Sequence, residues 1–127
     1  KKVYSSSLLR SKQTVKLVID KKAIILKELD ERDFGILAGL KKVNYKKNFF
    51  PKGESNYRLK NRVSKVFKKI ELENKSLIVS HSRVFKTICE ILQIKTNSIK
   101  NCEIVKFKEI IKDNWKVNTI NQEEFYL

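Results

Sequence analysis

Residues 76–92, SLIVSHSRVFKTICEIL, decide the fold of this 127-residue chain. The apolar run at 76–80 predicts a buried, central strand, and the apolar positions of residues 82–92 follow helical spacing. His81, the only histidine in the sequence, lies where that strand ends and the helix begins. In an open α/β sheet this is the edge where ligands bind, and a helix N-terminus there favours anions. The alternative is a partly buried histidine with a structural role only.

Strands alternate with helices along the rest of the chain. This order predicts one α/β domain over residues 1–127, a three-layer sandwich with a mostly parallel central sheet. The sequence predicts strands at 3–4, 23–26, 104–107 and 115–120, with the last two antiparallel or near an edge and joined by a turn at 113–114. It predicts helices at 8–19, capped by a serine, and at 54–72, with irregular polar chain at 28–40 and a basic connection at 41–53.

Composition excludes several classes of protein. With 41% apolar and 34% charged residues the chain is globular rather than disordered. No apolar run approaches the roughly 18 residues that a membrane span needs. Cys89 and Cys102 lie in apolar segments without metal-ligand spacing, so we expect buried free thiols in a reducing compartment. These features predict a cytoplasmic protein without a bound metal or cofactor.

The net charge of +15 raises the question of nucleic-acid binding. The lysines are spread along the whole chain rather than gathered in one stripe, and isoleucine and asparagine are also abundant, as in an AT-rich coding sequence. A nucleic-acid-binding domain is therefore the least favoured interpretation. A positive surface still attracts anionic ligands.

Several polar side chains are placed to reach the carboxyl edge of the predicted sheet. Arg10 falls in the first turn of the helix after the first strand, and His81 follows the central strand. Arginine grips phosphate oxygens bidentately, and a nearby acid can protonate a leaving oxygen. The other candidates are the arginines of the long helix and the acids of the polar loop: Arg58, Arg62, Glu28, Asp30, Glu31 and Asp33. On spacing alone, the alternative is that these arginines are solvated on the surface and that the polar loop carries no site.

Five segments in order resemble the histidine phosphatase superfamily, also called phosphoglycerate mutase-like. Residues 5–14 are similar to its S-x-L-x-R-A-x-Q-T segment, and residues 29–35 to its L-x-E-x-x-F/Y-G loop. Gly53-Glu54-Ser55 with Arg62 matches G-E-S…R. Residues 78–81 match the strand that carries the second family histidine, and residues 101–104 resemble N-A-x-I.

The resemblance implies a role for each matched residue. Arg10 would bind the transferring phosphoryl group, Glu31 would be the general acid and base, and His81 would contact the phosphoryl oxygens in the transition state. Glu54 and Ser82 would lie at the pocket rim, while Arg62 would be structural. The family needs no metal, because arginine and histidine neutralise the phosphoryl charge.

The chain departs from the family pattern in one decisive respect. The R-H-G motif, whose histidine is the nucleophile that forms phosphohistidine, has no counterpart in residues 1–127. The sequence also has no methionine and opens as a strand already under way, so we expect a piece of a longer protein. We expect residues 1–127 alone to be inactive, with exposed sheet edges that could promote self-association. Ser82 replaces the usual glycine after the strand histidine, and Ile36-Leu37-Ala38-Gly39 replaces x-W-E-G.

The resemblance leaves the activity partly open. Only the short stretch 40–52 separates the glutamate loop from Gly53, which favours a phosphatase acting on a small phosphorylated metabolite over a phosphoglycerate mutase with its longer insertion. The runner-up is a pseudo-phosphatase that binds phosphorylated ligands or a protein partner without turnover.

Overall fold

The structure, a computed structural model, describes residues 2–41, 50–71 and 75–121. Its helices are α1 (Leu9–Val18), α2 (Asn56–Glu71) and α3 (Ser82–Ile91). Its strands are β1 (Val3–Ser5), β2 (Ile24–Ile25), β3 (Leu77–Val79), β4 (Ile104–Ile111) and β5 (Asn114–Ile120). The predicted α/β order is confirmed, although the last residue of the predicted helix 54–72 lies outside the described residues.

The first three strands form a parallel sheet in the order β2-β1-β3, with Tyr4 opposite both Ile24 and Ile78. The predicted parallel sheet is therefore confirmed. The central position belongs to β1, which is buried along its whole length, and the prediction of a buried, central β3 is wrong. β3 is half-buried because, within the described residues, it has a strand partner on one side only.

The last two strands form an antiparallel hairpin, as predicted. The predicted turn is displaced by one residue: Asp113 adopts a left-handed conformation with φ 62°, and Asn114 already begins β5. The hairpin contacts the helices through an aromatic cluster. Phe107 packs with Phe67 and Phe85 at centroid distances of 6.5 and 5.9 Å, and Trp115 packs with Phe67 at 6.0 Å.

The core lies where α2 and α3 meet β1. The apolar stripe predicted for the long helix is buried, since its members are at most 7% exposed: Leu59, Val63, Val66, Phe67 and Ile70. From α3, Val84 and Ile88 join this cluster. Full burial of one such side chain adds about 1.5–3 kcal/mol to the stability of the fold. The packing of α2 and α3 therefore holds β1 and the loop before α2 in place.

The polar loop at 28–40 is more ordered than its sequence predicts. It contains two 3₁₀ turns, Lys27–Leu29 and Gly35–Leu37. Its backbone bonds to the segment before α2: Glu54 N–H donates to Asp33 O at 2.8 Å, and Ile36 N–H donates to Pro51 O at 3.2 Å. Residues 42–49 of the predicted basic connection lie outside the described residues.

Two smaller predictions are wrong. No serine side chain caps α1, because its N-cap is Leu8, whose apolar side chain has no acceptor. The Ser6 hydroxyl accepts the N–H of Leu8 instead of one inside the helix. Cys102 is exposed, because it occupies a turn with φ 58° before β4, whereas Cys89 is a buried free thiol as predicted. None of the helices in the described part of the chain is long and apolar enough to cross a membrane.

Candidate active site

His81 is the N-cap residue of α3 and lies just beyond the carboxyl end of β3. Its backbone is extended, and its carbonyl accepts the N–H of Phe85 at 3.0 Å. The ring is half-buried, and its Nε2 lies 2.7 Å from the Ser6 hydroxyl oxygen and 3.3 Å from that of Ser11. The strand-to-helix junction therefore presents the imidazole at the carboxyl edge of the parallel sheet, as predicted.

The chain around His81 is held by hydrogen bonds from three neighbouring segments. Ser6 N–H donates to Val79 O at 3.0 Å, which continues the pairing of β1 with β3. Asp30 accepts the backbone N–H of Ser7 at 2.6 Å and its hydroxyl at 2.7 Å. The Ser80 hydroxyl donates to Leu29 O at 2.6 Å. The ends of β1 and β3 are thus tied to the first 3₁₀ turn, which precedes Glu31.

The electrostatics show which charges lie near the imidazole. Burial is the main cause that lowers the pKa of His81, and the positive charge of Arg10 lowers it further. Glu31 and Asp30 act in the opposite direction, and Arg62 has a small lowering effect. The imidazole is therefore uncharged at neutral pH, within the electrostatic reach of the arginine and the glutamate named from the sequence.

The exposure of the two charged partners differs. Arg10 is exposed in the first turn of α1, so its guanidinium is available to an anion from solvent. Glu31 is half-buried, and its Oε1 accepts the backbone N–H of Arg32 at 2.9 Å. The second carboxylate oxygen of Glu31 accepts no hydrogen bond from the part of the chain that the structure describes.

Glu54 and Arg62 form an ion pair behind this group. Arg62 Nε and Nη2 donate to the two carboxylate oxygens of Glu54 at 2.6 and 2.8 Å. Arg62 also donates to Glu28 O at 2.7 Å and to Glu31 O at 3.4 Å. The pair therefore fixes the loop that carries Glu31, and both Glu54 oxygens are engaged within the protein rather than directed at a ligand.

Two residues named from the sequence, Ser82 and Arg58, are peripheral. Ser82 is exposed as the first residue of α3, and Arg58 is exposed on the first turn of α2.

Arg32 is 3% exposed, with its guanidinium carbon 4.3 Å from the centre of the Phe50 ring. Its Nε donates to Glu54 O at 3.0 Å, while Nη1 and Nη2 are buried without a hydrogen-bond partner among the described residues.

Ser6 and Ser11 are the site residues to which the sequence alone assigned no role, whereas Asp30 is one of the acids of the polar loop that the sequence names as candidates. Both serines lie in residues 5–14, a segment already singled out. Ser6 directly follows β1, and the carboxyl ends of parallel strands meet at one edge of a sheet. Its position in the sequence could therefore have predicted a contact with the residue that follows a neighbouring strand. Among residues 2–41, 50–71 and 75–121, no group of three or more His, Cys, Asp and Glu side chains could hold a metal ion.

Comparison with known proteins identifies the family of the chain. The sequence profile of the histidine phosphatase superfamily (branch 1) matches residues 1–123. The chain therefore belongs to the histidine phosphatase superfamily. A sequence search of curated proteins finds no significant match.

Solved structures share the fold. The structure of TTHB049 from Thermus thermophilus aligns with a TM-score of 0.72 at 21% identity, covering 83% of this chain and 66% of that one. A proposed alpha-ribazole-5'-P phosphatase from Escherichia coli K-12 aligns with a TM-score of 0.72 at 17% identity, covering 96% and 73%. The present chain thus spans about two thirds of the length of TTHB049.

Proposed function

We propose that this chain is the larger part of a phosphatase that hydrolyses phosphomonoesters through a phosphohistidine intermediate. One observation carries the proposal: His81 lies at the carboxyl edge of the parallel sheet, where the charges of Arg10 and Glu31 both act on its ring. A cation, a carboxyl group and a neutral imidazole are the groups that bind a phosphoryl group and protonate a leaving oxygen. Superfamily membership supports the same chemistry.

The proposed reaction has two steps. A histidine outside residues 1–127 attacks phosphorus, a nitrogen–phosphorus bond forms, and the bond to the leaving oxygen breaks. Glu31, as a carboxylic acid, gives that oxygen its proton. Water then attacks phosphorus while the Glu31 carboxylate takes a proton from it, and the nitrogen–phosphorus bond breaks to release inorganic phosphate. Arg10 and His81 hold the phosphoryl oxygens throughout.

The substrate class is a small phosphorylated metabolite. The Escherichia coli neighbour is named as a phosphatase, which supports hydrolysis over mutase chemistry. Glu54 and Ser82 are proposed to influence the pocket only indirectly, the first through its pair with Arg62 and the second from the exposed start of α3. A cytoplasmic location is proposed because both cysteines are free thiols.

The test is hydrolysis of p-nitrophenyl phosphate by the full-length gene product and its variants. We expect Arg10→Ala and His81→Ala each to lower kcat/KM by at least about 100-fold, since each removes a group that neutralises transition-state charge. Arg58→Ala is the matched control, because Arg58 is exposed on α2, and it should stay within about twofold of the wild type.

Full rates in Arg10→Ala and His81→Ala would contradict the site assignment. A full-length protein that binds vanadate but shows no turnover would identify the binding relative instead of the hydrolase.

A further inference from the structure

The contact between Ser6 and His81 determines which ring nitrogen carries the imidazole proton. Ser6 is completely buried, and its hydroxyl oxygen lies 2.7 Å from Nε2 of His81. The same oxygen accepts the backbone N–H of Leu8 at 3.2 Å. Within the described residues, the Ser6 hydroxyl takes part in these two hydrogen bonds.

Within the described residues, the Ser6 hydroxyl hydrogen has a single acceptor, Nε2 of His81. A hydroxyl donates one hydrogen bond and accepts up to two, and a neutral imidazole has one donor and one acceptor nitrogen. If Nε2 carried the proton, it would donate to Ser6, and the buried hydroxyl hydrogen would have no acceptor within the described residues. A buried, unsatisfied donor is unfavourable by about 1–3 kcal/mol. The arrangement without that penalty has Ser6 donating to Nε2.

The other ring nitrogen is then the donor. Nδ1 of His81 has no hydrogen-bond partner in the part of the chain that the structure describes, and the ring is half-exposed. Ser11, whose hydroxyl oxygen is 3.3 Å from Nε2, approaches the same nitrogen as Ser6 and leaves Nδ1 open.

We propose that Ser6 is a positioning residue that donates to Nε2 of His81, fixes the neutral tautomer with its proton on Nδ1, and so directs Nδ1–H at the phosphoryl group. The last part rests on the proposed function, whereas the tautomer itself does not. His81 then acts on the phosphoryl oxygens as a neutral hydrogen-bond donor, and the cationic charge comes from Arg10.

The test is a long-range ¹H–¹⁵N correlation spectrum of the histidine ring, in which protonated and unprotonated nitrogens are well separated. In the full-length protein, the signals of the His81 ring are identified as those that a His81→Gln variant lacks. Above the titration of the ring, we expect Nδ1 to be protonated in the wild-type protein. Ser6→Ala should shift the tautomer ratio at least about tenfold toward Nε2–H, which corresponds to the lower part of the penalty for an unsatisfied donor.

Ser7→Ala is the matched control. It removes a hydroxyl from the neighbouring residue, but that hydroxyl donates to Asp30 rather than to the imidazole, so the tautomer should not change. The wild-type spectrum is decisive even if Ser6→Ala fails to fold: a ring protonated on Nε2 would overturn the proposal.

This result is separable from that of the phosphatase assay. An Nδ1–H ring in a protein without phosphatase activity would support the positioning role and contradict the hydrolase. An active phosphatase with an Nε2–H ring would overturn the positioning role and leave the hydrolase intact.

Discussion

At the scale of single residues, the surroundings of His81 favour its uncharged form. The ring is half-buried, its Nε2 is beside two serine hydroxyls, and Arg10 adds a repelling positive charge. Glu31 and Asp30 offset this only in part, so the pKa of His81 is lowered, with burial as the largest cause. A bound phosphoryl dianion would raise the pKa of His81 from this lowered value, because it would offset the positive charge of Arg10.

Stability should therefore fall as the solution is acidified. The folded state has the lower histidine pKa, so on going down through about pH 6.5 the unfolded chain takes up a proton first. The free energy of unfolding should decline between about pH 7.5 and about pH 5.5, and His81→Gln should flatten that slope. Urea denaturation across this range measures it; an unchanged slope in the variant, or stability that increases on acidification, would contradict the account.

How far the sequence predicts the site depends on the kind of contact. Arg10 and His81 could be placed together because both follow parallel strands, and strand ends meet at one edge. The Ser6 and Ser11 contacts to Nε2 could not be predicted, since they depend on side-chain rotamers rather than on register. The engagement of both Glu54 oxygens by Arg62 could not be predicted for the same reason.

At the scale of elements, the loop of Glu31 is shaped by a close crossing of two backbones. Gly35 has φ 57°, and a Cβ there would overlap Pro51 O and the backbone of Gly53. Gly53 is constrained from the other side of the crossing, because a Cβ added there would lie 2.6 Å from Asp33 O. These two glycines let the glutamate loop pair with the segment before α2, which explains why both matched motifs contain a glycine at these points.

Alanine substitution at two glycines separates strain from overlap. Gly39 has φ 81° and open space where a methyl group would be added, so Gly39→Ala should cost about 1–2 kcal/mol of unfolding free energy from the left-handed backbone alone. Gly35→Ala has the same strain plus overlap with backbone atoms, so it should cost at least about 2 kcal/mol more. Equal losses by urea denaturation would show that the crossing is not tightly packed.

Helical elements were more predictable than strands. The apolar stripe of α2 can be predicted from the sequence, because apolar residues at helical spacing lie on one face of the helix and that face packs on the core. The half-burial of β3 could not be predicted, since the burial of a strand depends on which strands lie on either side of it. The sequence pattern of an apolar run is the same for a central strand and for one with an open side.

At the scale of the whole molecule, the hairpin of β4 and β5 is a separate sheet that an aromatic cluster joins to the helices. The hairpin of β4 and β5 has no strand pairing with the parallel sheet within the described residues. It reaches the helices through Phe107, which contacts Phe67 and Phe85, and through Trp115, which contacts Phe67. Aromatic pairs of this geometry contribute about 0.5–1.5 kcal/mol each beyond their buried area.

Loss of this contact should release the hairpin from the helices. Phe107→Ala removes two ring contacts, so we expect about 2 kcal/mol less unfolding free energy and a red-shifted emission from Trp115, the only tryptophan. Ile110→Ala, on the same strand but 47% exposed, is the control and should leave the emission unchanged. An unshifted spectrum in Phe107→Ala would mean that other contacts hold the hairpin.

The central claim is that one phosphoryl site includes His81 and Arg10, and the pKa of His81 with and without a tetrahedral dianion tests it most directly. We would follow the His81 ring of the full-length protein by NMR between about pH 5 and about pH 8 in sodium sulfate and in sodium chloride of equal ionic strength, because sulfate keeps its charge over this range. We expect a pKa below about 6.5 in chloride, a clear rise in sulfate, and loss of that rise in Arg10→Ala. The same pKa in both salts would contradict the site.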